Sequence, residues 1–441
     1  MLKNYFKIAW RNLIGNISFS IINILGLAIG MASAILILLW IQNEVSHDRF
    51  HEKKDRLYVA NNRDKFEGEM HSWSQTPKIL AKTVKLEYPD VEDAVRVTDQ
   101  IFLFSVGEKH LNINGAIVDP GFLNIFSFPL LNGNINSLND NSHIVLTEKL
   151  AIKLFGNENP MGKTVKIDST DNFTVAGVLK DLPNNTKFSF EYLLPWSYLK
   201  KIKGDDDSWG NNSIRTYILL KPGVSKADFD AKIKNITIDH TKDGERSTTQ
   251  VFTQLLSDSW LYNRDIKGEY VTGRIERVKL FGIIAAFILL IACINFMNLS
   301  TARSEKRAKE VGIRKVVGAK KSALIIQFIG ESIMLAFFAG VLSILIVELS
   351  LSGFNKLVNK QLYIDFSSLA YWFCALLFIL FTGLLAGSYP ALFLSSYQPV
   401  KVLKGKVSSV SAAITPRKVL VVLQFTFAIA LIICTIIVQH Q

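Results

Sequence analysis

Lysine and arginine are absent from five long apolar stretches of this 441-residue chain, and the single acidic residue inside them is Glu331. The stretches are residues 17–41, 280–302, 323–347, 369–394 and 419–438. Each is about 20 residues or longer, the length that a helix needs to cross the ~30 Å hydrocarbon layer of a membrane. The pattern excludes a soluble enzyme and predicts a multi-pass α-helical membrane protein.

Cysteine is also scarce, because the chain has three and all of them (Cys293, Cys374 and Cys434) lie in apolar stretches. The segment 43–278 has none, so it must fold without disulfides, and about 236 residues are enough to bury a core of its own. It therefore offers no CxxC motif and no thiol nucleophile.

The formal net charge of +12 is unevenly distributed along the chain. Segment 43–278 holds 31 basic and 33 acidic residues, so the remaining residues carry +14. That excess lies before the first stretch, in 303–322 and in 395–418. Basic residues concentrated in alternate loops mark the cytoplasmic side. The excess thus predicts orientation, with a cytoplasmic N-terminus and an external 43–278 segment, and does not indicate nucleic-acid binding.

The predicted organisation alternates helices with loops, and a domain is inserted after the first span. We expect a cytoplasmic amphipathic helix (1–16), an uncleaved span (17–41), an external α+β domain (42–279), a span (280–302), a cytoplasmic loop (303–322), a span (323–347), a short external loop (348–368), a span (369–394), a cytoplasmic linker (395–418) and a fifth span (419–438). In residues 1–16 the bases Lys3, Lys7 and Arg11 recur every four residues, which is typical of a helix lying on the membrane surface.

Strand-like patterns predict much of the external domain. They cover 57–60, 101–106, 143–146, 173–179 and 216–220. Helices are expected over 77–87, with Thr76 as the cap, over 149–155, and from Ser225, where Ser225 and Asp228 form a capping box.

Three motifs in this domain resemble chemical sites without meeting their requirements. The segment 156–164 has five residues between its glycines, where a phosphate loop has four, so we expect a surface turn. His47 and His51 are four apart but lack a third metal ligand, so we expect an ordinary solvated helix. The acidic triplet 205–207 lacks the rest of a calcium loop, so a solvated loop is expected. No catalytic residue can be assigned.

The apolar stretches contain small and polar residues with specific uses. Two G-x-x-x-G pairs, Gly26 with Gly30 and Gly383 with Gly387, predict close helix packing, unless they reflect the general abundance of glycine in membrane helices. A charged Glu331 would be costly in lipid, so it should face other helices or be protonated, as a structural group or in transport. Interhelical hydrogen bonds are expected from Asn295 and Asn298.

The loop 303–322 mixes bases with apolar residues at 311, 313, 316 and 317, and Gly312 and Gly318 are predicted turn points. This pattern suits either docking into a groove on another protein or anchoring at the membrane surface. The residues alone leave both open.

The sequence RAKEVGIRKVVGA at 307–319, directly after LLIACINFMNLSTA at 289–302, resembles the signature of FtsX/MacB-type ABC transporter permeases. The opening at 5–32 is similar to the long versions found in Bacteroidetes-like bacteria. The external strings VDPGFLNIFSFPLLNG and FTVAGVLKDLP are similar to the MacB-like periplasmic core domain. The resemblance covers nearly the whole chain and implies a bacterial inner-membrane protein.

That resemblance implies a permease that binds no cofactor, because a separate cytosolic ATPase binds and hydrolyses ATP. Its coupling helix matches Glu310, Gly312, Ile313, Arg314, Lys315 and Gly318. The implied output is export from the envelope, in concert with a periplasmic or outer-membrane partner, or mechanotransmission to the periplasmic domain. The alternatives are a non-transporting scaffold that activates a partner such as a cell-wall hydrolase, and a receptor without an ATPase.

The fifth stretch departs from the shorter members of this family, which end soon after the fourth span. In the long versions it opens a second half that repeats the first. We therefore expect a truncated chain whose partner is a second permease half, or a second copy in a homodimer.

Overall fold

The computed structural model describes residues 11, 15, 17–241, 248–264, 270–271, 273–302, 304–396 and 416–439. The chain divides into two compact units: a membrane unit (residues 1–42 and 278–441) and a domain unit (residues 43–277). The amphipathic helix predicted over 1–16 lies almost entirely outside the described residues, as does most of the linker predicted over 395–418.

The helices of the described residues are α1 Ile17–Val45, α2 Leu80–Glu87, α3 Phe122–Ile125, α4 Glu148–Phe155, α5 Trp196–Lys201, α6 Lys226–Ile233, α7 Ile236–His240, α8 Arg274–Ala302, α9 Ser304–Val316, α10 Lys321–Val358, α11 Leu369–Ser395 and α12 Pro416–Gln439. Short 3-10 helices cover Lys54–Arg56, Ser137–Asn139 and Leu256–Asp258.

The strands are β1 Leu57–Phe66, β2 Glu69–Trp73, β3 Thr76–Pro77, β4 Val91–Val106, β5 Lys109–Val118, β6 Leu130–Gly133, β7 His143–Thr147, β8 Thr164–Ile167, β9 Asp171–Leu179, β10 Tyr192–Pro195, β11 Asn212–Leu220, β12 Gln250–Leu255, β13 Asn263–Arg264 and β14 Tyr270–Val271.

Among the described residues, four helices are long and apolar enough to cross a membrane: α1, α8, α10 and α11. All four contribute to one buried cluster, in which Leu27 and Met31 of α1 meet Phe296 of α8 and Leu335 of α10. The fold class is therefore the multi-pass membrane protein that the sequence predicts. In α12 the described apolar part is 418–430, so a fifth span remains a prediction.

The domain unit is built on a mixed sheet in the order β12-β1-β11-β4-β5-β10-β7-β9-β6, with β2 beside β1, β3 beside β11, and β8 beside β4 and β9. Most neighbours are antiparallel, while β10 pairs with β5 and β7 with β9 in parallel. Aromatic rings pack together within the main core, where Phe126 lies 4.6 Å from Phe122 and 4.9 Å from Phe188 between ring centres. This confirms an inserted domain of mixed α and β structure.

One predicted helix begins three residues later than expected. Thr76 and Pro77 do not cap α2, because they form β3 and pair with β11, where the Thr76 and Thr216 hydroxyls are 2.8 Å apart. The helix starts at Leu80 instead. The cap predicted at Ser225 is confirmed, since its hydroxyl accepts a hydrogen bond from the Asp228 amide.

The segment resembling a phosphate loop forms the turn between α4 and β8. Gly156 and Gly162 both adopt positive φ angles, of 65° and 75°, and open space surrounds each. The acidic triplet is less solvated than expected, because Asp206 pairs with Lys78 at 2.5 Å and Asp205 lies 3.8 Å from Arg96.

Candidate coupling site

Helix α9 lies between α8 and α10 in sequence and ends in a tight turn at Gly318. The Ala319 amide donates to the Arg314 carbonyl, the Gly318 amide donates to that of Lys315, and Gly318 has a φ of 97°. This is the Schellman arrangement, in which a left-handed glycine ends a helix. The turn predicted at Gly318 is thus confirmed, whereas Gly312 is buried inside the helix and is not a turn point.

The two faces of α9 differ sharply in exposure. Val311 is buried and packs against Leu324 and Phe328 of α10 and the end of α11. Ile313, Val316 and Val317 are 57%, 65% and 82% exposed. We call Ile313, Val316 and Val317 the exposed strip. At the C-terminal end of α9 and the turn after it, one side is therefore fixed to the membrane helices, and the other presents three apolar side chains that they leave uncovered.

The two bases in the last turn of α9 are bonded to the membrane helices. The Arg314 guanidinium donates to Gln327 Oε1 at 3.0 Å, and the Lys315 ammonium donates to the Ser395 carbonyl at 2.6 Å. Desolvation, and then the nearby charge of Lys321, lower the pKa of Lys315. Arg314 therefore links α9 to α10, and Lys315 links it to the last residue of α11.

A polar chain continues from Arg314 into α10. Gln327 accepts from Arg314 and donates through Nε2 to Glu331 Oε1 at 3.1 Å. Glu331 is 7% exposed and faces other helices beside a cavity of about 20 Å³, which is room for about one water molecule. Phe296 of α8 and Pro390 of α11 also line it. The buried acid thus connects with α9 through one glutamine.

Glycines let the membrane helices approach closely. A Cβ added to Gly30 would lie 2.4 Å from Ala292 Cβ, and one added to Gly383 would lie 2.8 Å from Ile333 Cα. The other members of the two pairs also face neighbouring helices: Gly26 towards the Asn295 side chain and Gly387 towards Ser332. The Asn298 amide donates to Gln424 Oε1 of α12 at 3.3 Å.

In the domain unit, the segment that follows α1 is buried, so the solvated helix expected at His47 and His51 is wrong. Distant residues cover it: His47 stacks on Trp260 at 4.0 Å, and His51 contacts Phe126 and Phe128. Both histidines and Asp48 are at most 1% exposed. His47 Nδ1 faces the Asn43 carbonyl, whereas His51 Nδ1 accepts from the Ser127 amide, so the rings have separate partners.

The same segment holds two titratable groups with shifted pKa values. Burial raises the pKa of Asp48 to about 6, although Thr186 and the Lys187 amide donate hydrogen bonds to its carboxylate. Burial lowers the pKa of His51 to about 4. Buried ionisable groups tend towards their neutral forms because the protein interior solvates charge poorly.

Trp260 joins the two chain segments that connect the domain to its flanking spans. Its indole N–H donates to Glu44 Oε2 at 2.8 Å, and the Arg274 guanidinium lies 3.8 Å above its ring. Glu44 and Arg274 are themselves 3.9 Å apart. Glu44 belongs to the last turn of α1 and Arg274 begins α8. Glu44, Trp260 and Arg274 all belong to the domain unit, where they form one connected group.

Comparison with known proteins gives matches along most of the chain. Residues 20–236 match the family model of the MacB-like periplasmic core domain, and residues 282–399 match the FtsX-like permease C-terminal domain. The macrolide export ATP-binding/permease protein MacB of Aggregatibacter actinomycetemcomitans is 26% identical over 252 residues, which cover 55% of this chain and 34% of that protein. The chain thus matches about a third of the length of that relative.

The uncharacterized ABC transporter permease YknZ of Bacillus subtilis is 24% identical over 320 residues, which cover 67% of this chain and 70% of that protein. Among solved structures, the periplasmic region of MacB from Actinobacillus actinomycetemcomitans is 19% identical with a TM-score of 0.34, and the match covers 46% of this chain and 90% of that one.

The two family-model matches, with the sequence similarity to MacB and YknZ, support a permease subunit of an ABC transporter. The chain belongs to the FtsX/MacB type of these permeases.

Proposed function

We propose that α9 is the coupling helix through which a separate cytosolic ATPase drives this permease. The observation that carries the proposal is the division of α9 into an exposed apolar strip and a face bonded to α10 and α11. An uncovered apolar strip on a short helix suits docking into a groove on a partner. ATP would bind to that partner, so this chain would hold no nucleotide and catalyse no reaction.

In this scheme the residues of α9 have different roles. Ile313 of the exposed strip and the exposed Glu310 contact the ATPase, while Gly318 ends the helix and sets its direction. Arg314 and Lys315 are positioning residues, because their hydrogen bonds hold α9 on α10 and α11. A push on α9 would then reach Glu331 through Gln327.

The orientation follows from charge. Segment 303–322 holds eight basic residues against two acidic ones, and such loops remain in the cytoplasm. We therefore place α9 inside the cell and the domain unit in the periplasm of a bacterial inner membrane. The output is export or mechanical transmission to a periplasmic partner.

Co-purification tests the docking surface. We expect Val317→Asp to abolish recovery of the ATPase with the full-length permease, because a charge would be buried in an apolar groove. Leu357→Asp is the matched control, since Leu357 is 81% exposed on α10 but lies far from α9 in sequence. Equal recovery with Val317→Asp and the unmodified protein would contradict the proposal.

The positioning role is tested separately. Arg314→Gln should leave the ATPase bound but reduce permease-dependent stimulation of ATP hydrolysis in proteoliposomes by about tenfold, the scale of one lost charged hydrogen bond. If Arg314→Gln instead releases the ATPase as Val317→Asp does, Arg314 belongs to the docking surface.

A further inference from the structure

The domain unit contains a polar cavity of about 590 Å³ beside the strands of its central sheet, at the edge of the main core. On one sheet face, Leu57 of β1 and Tyr217 of β11 are buried in that core. On the same face, Val59 lies two residues beyond Leu57 in β1, and Arg215 lies two residues before Tyr217 in β11. Asn61 follows Val59 on this face of β1. The alternation of a strand keeps these side chains on one side, so the face changes from apolar to polar at the cavity.

Strand β12 extends this polar surface. Phe252 lies opposite Asn61 and Gln254 lies opposite Val59 in the antiparallel ladder. Gln254 is 6% exposed and donates to the Tyr262 carbonyl at 3.0 Å, which fixes its amide at the cavity wall. The walls are therefore held by strand pairing and by side-chain hydrogen bonds.

The charge of the lining is entirely positive. Lys187 and Arg215 line the cavity, and none of the described lining residues is acidic. The Lys187 ammonium donates to the carbonyl and the hydroxyl of Ser259, at 2.6 and 2.7 Å. Among the described residues no carboxylate oxygen lies within 4.0 Å of this ammonium, whereas Arg215 is paired with Asp99. An ammonium has three N–H groups, so one can bind a further acceptor.

Burial is the main cause of the shifted pKa of Lys187. It lowers the pKa of the ammonium to about 8; the charge of Asp48 opposes this shift, while Arg215 and Arg274 add to it. A half-buried cation without a carboxylate in contact is costly, and an anion that enters the cavity would relieve that cost.

Three aromatic side chains interrupt the otherwise polar walls. Trp73, Phe252 and Tyr262 line the cavity, and Ser72 at its edge is exposed to solvent. The volume falls within the range of about 300–1,000 Å³ that is common for small-molecule sites.

We propose that this cavity binds a small organic carboxylate, whose charged end meets Lys187 and Arg215 and whose planar body packs against Trp73 and Phe252. The proposal does not depend on the coupling role of α9, so either can fail alone.

The test uses hippurate, which joins a carboxylate to an aromatic ring, and its neutral amide hippuramide, with the purified full-length chain in detergent. Calorimetry should detect hippurate and should show hippuramide at least about tenfold weaker, as expected for charge-assisted hydrogen bonds. Arg215→Gln and Lys187→Gln should each weaken hippurate binding about tenfold or more. Lys65→Gln, which removes an exposed base on β1, should leave it unchanged.

A second variant guards against loss of fold. Ser72→Trp should fill the edge of the cavity and abolish hippurate binding without removing a charge, while the thermal unfolding temperature is retained. Hippurate affinity should also fall as pH rises above about 8, because Lys187 then loses its proton. Equal binding of hippuramide, full affinity in both charge variants or in Ser72→Trp, or no binding below about 10 mM would each overturn the proposal.

Discussion

The domain unit and the membrane unit of this permease are each stabilised internally, but by different kinds of packing. The domain unit buries a cluster of aromatic rings around Phe126, and its surface carries ion pairs such as Arg96 with Asp119. The membrane unit instead brings helices together where side chains are smallest, as at Gly30 and Gly383. The hydrophobic effect stabilises the aromatic core of the domain unit, because folding removes it from water. Lipid is as apolar as the helix surfaces, so the membrane helices are stabilised by close van der Waals contact instead.

Removal of the aromatic ring of Phe126 should cause the largest loss of stability. That loss should be confined to the domain unit. We expect Phe126→Ala to destabilise the domain by about 4 kcal/mol, because a buried ring leaves a cavity. Denaturant unfolding followed by tryptophan fluorescence measures this, and far-UV circular dichroism should show that the membrane helices persist. Phe66→Ala, at a 55% exposed phenylalanine, is the matched control. Equal losses in the two variants would contradict the account of the core.

Asp48 and His51 should have opposite effects on the pH dependence of domain stability. The raised pKa of Asp48 means that the folded state holds its proton more tightly, so stability falls as pH rises from about 4 to about 6. The lowered pKa of His51 makes stability rise between about pH 4 and 6.5. Each contribution is about 3 kcal/mol, so the two nearly cancel.

Single substitutions should expose each contribution. With Asp48→Asn, the free energy of unfolding should rise from pH 4 to 6.5, and with His51→Gln it should fall over the same range. Denaturant titrations at several pH values measure both slopes. Slopes of the same sign in the two variants would show that these groups are not buried as described.

A methyl group added between membrane helices should have a smaller effect. Gly383→Ala should destabilise the membrane unit by about 2 kcal/mol, because the new Cβ meets the backbone of α10 at Ile333. Gly353→Ala, where nothing lies within 4 Å, should be neutral or slightly stabilising. Thermal unfolding in detergent distinguishes the two, and an equal loss at both positions would remove the argument for close packing.

The smallest effect is expected from removing a helix N-cap, a feature that occurs in both units. Ser225 caps α6 in the domain unit, and Ser368 caps α11 in the membrane unit, by accepting from the Asp228 and Tyr371 amides. Replacement of either serine by alanine should cost about 1 kcal/mol in unfolding experiments on the full chain. A much larger loss at one position would show that its cap has a further structural role.

The features predicted well from sequence are those set by neighbouring residues. A run without charge predicts a span, a serine before an acidic residue predicts the start of α6, and glycine predicts the turn at Gly318. Features set by distant residues were missed. Thr76 looks like a helix cap until β11 pairs with it, and the residues that cover His47 and His51 lie more than 70 positions away along the chain.

The coupling site and the cavity also combine features set by neighbouring residues with features set by distant ones. The sequence indicates α9 as a mixed basic and apolar segment, but only the packing of α10 and α11 separates the exposed strip from Arg314 and Lys315. The cavity beside Arg215 has no local signal, since it arises from strands β1, β2, β11 and β12 and from the segments that carry Lys187 and Ser259.

Orientation in the membrane is the basis of the coupling account, and thiol labelling in whole cells tests it most directly. Ser322→Cys at the start of α10 and Ser142→Cys in the domain both place a thiol at an exposed position. In a background where the three native cysteines are serine, an impermeant maleimide should label Ser142→Cys in cells with a permeabilised outer membrane. Ser322→Cys should react only after lysis. Labelling of Ser322→Cys in intact cells, with Ser142→Cys protected, would contradict the account.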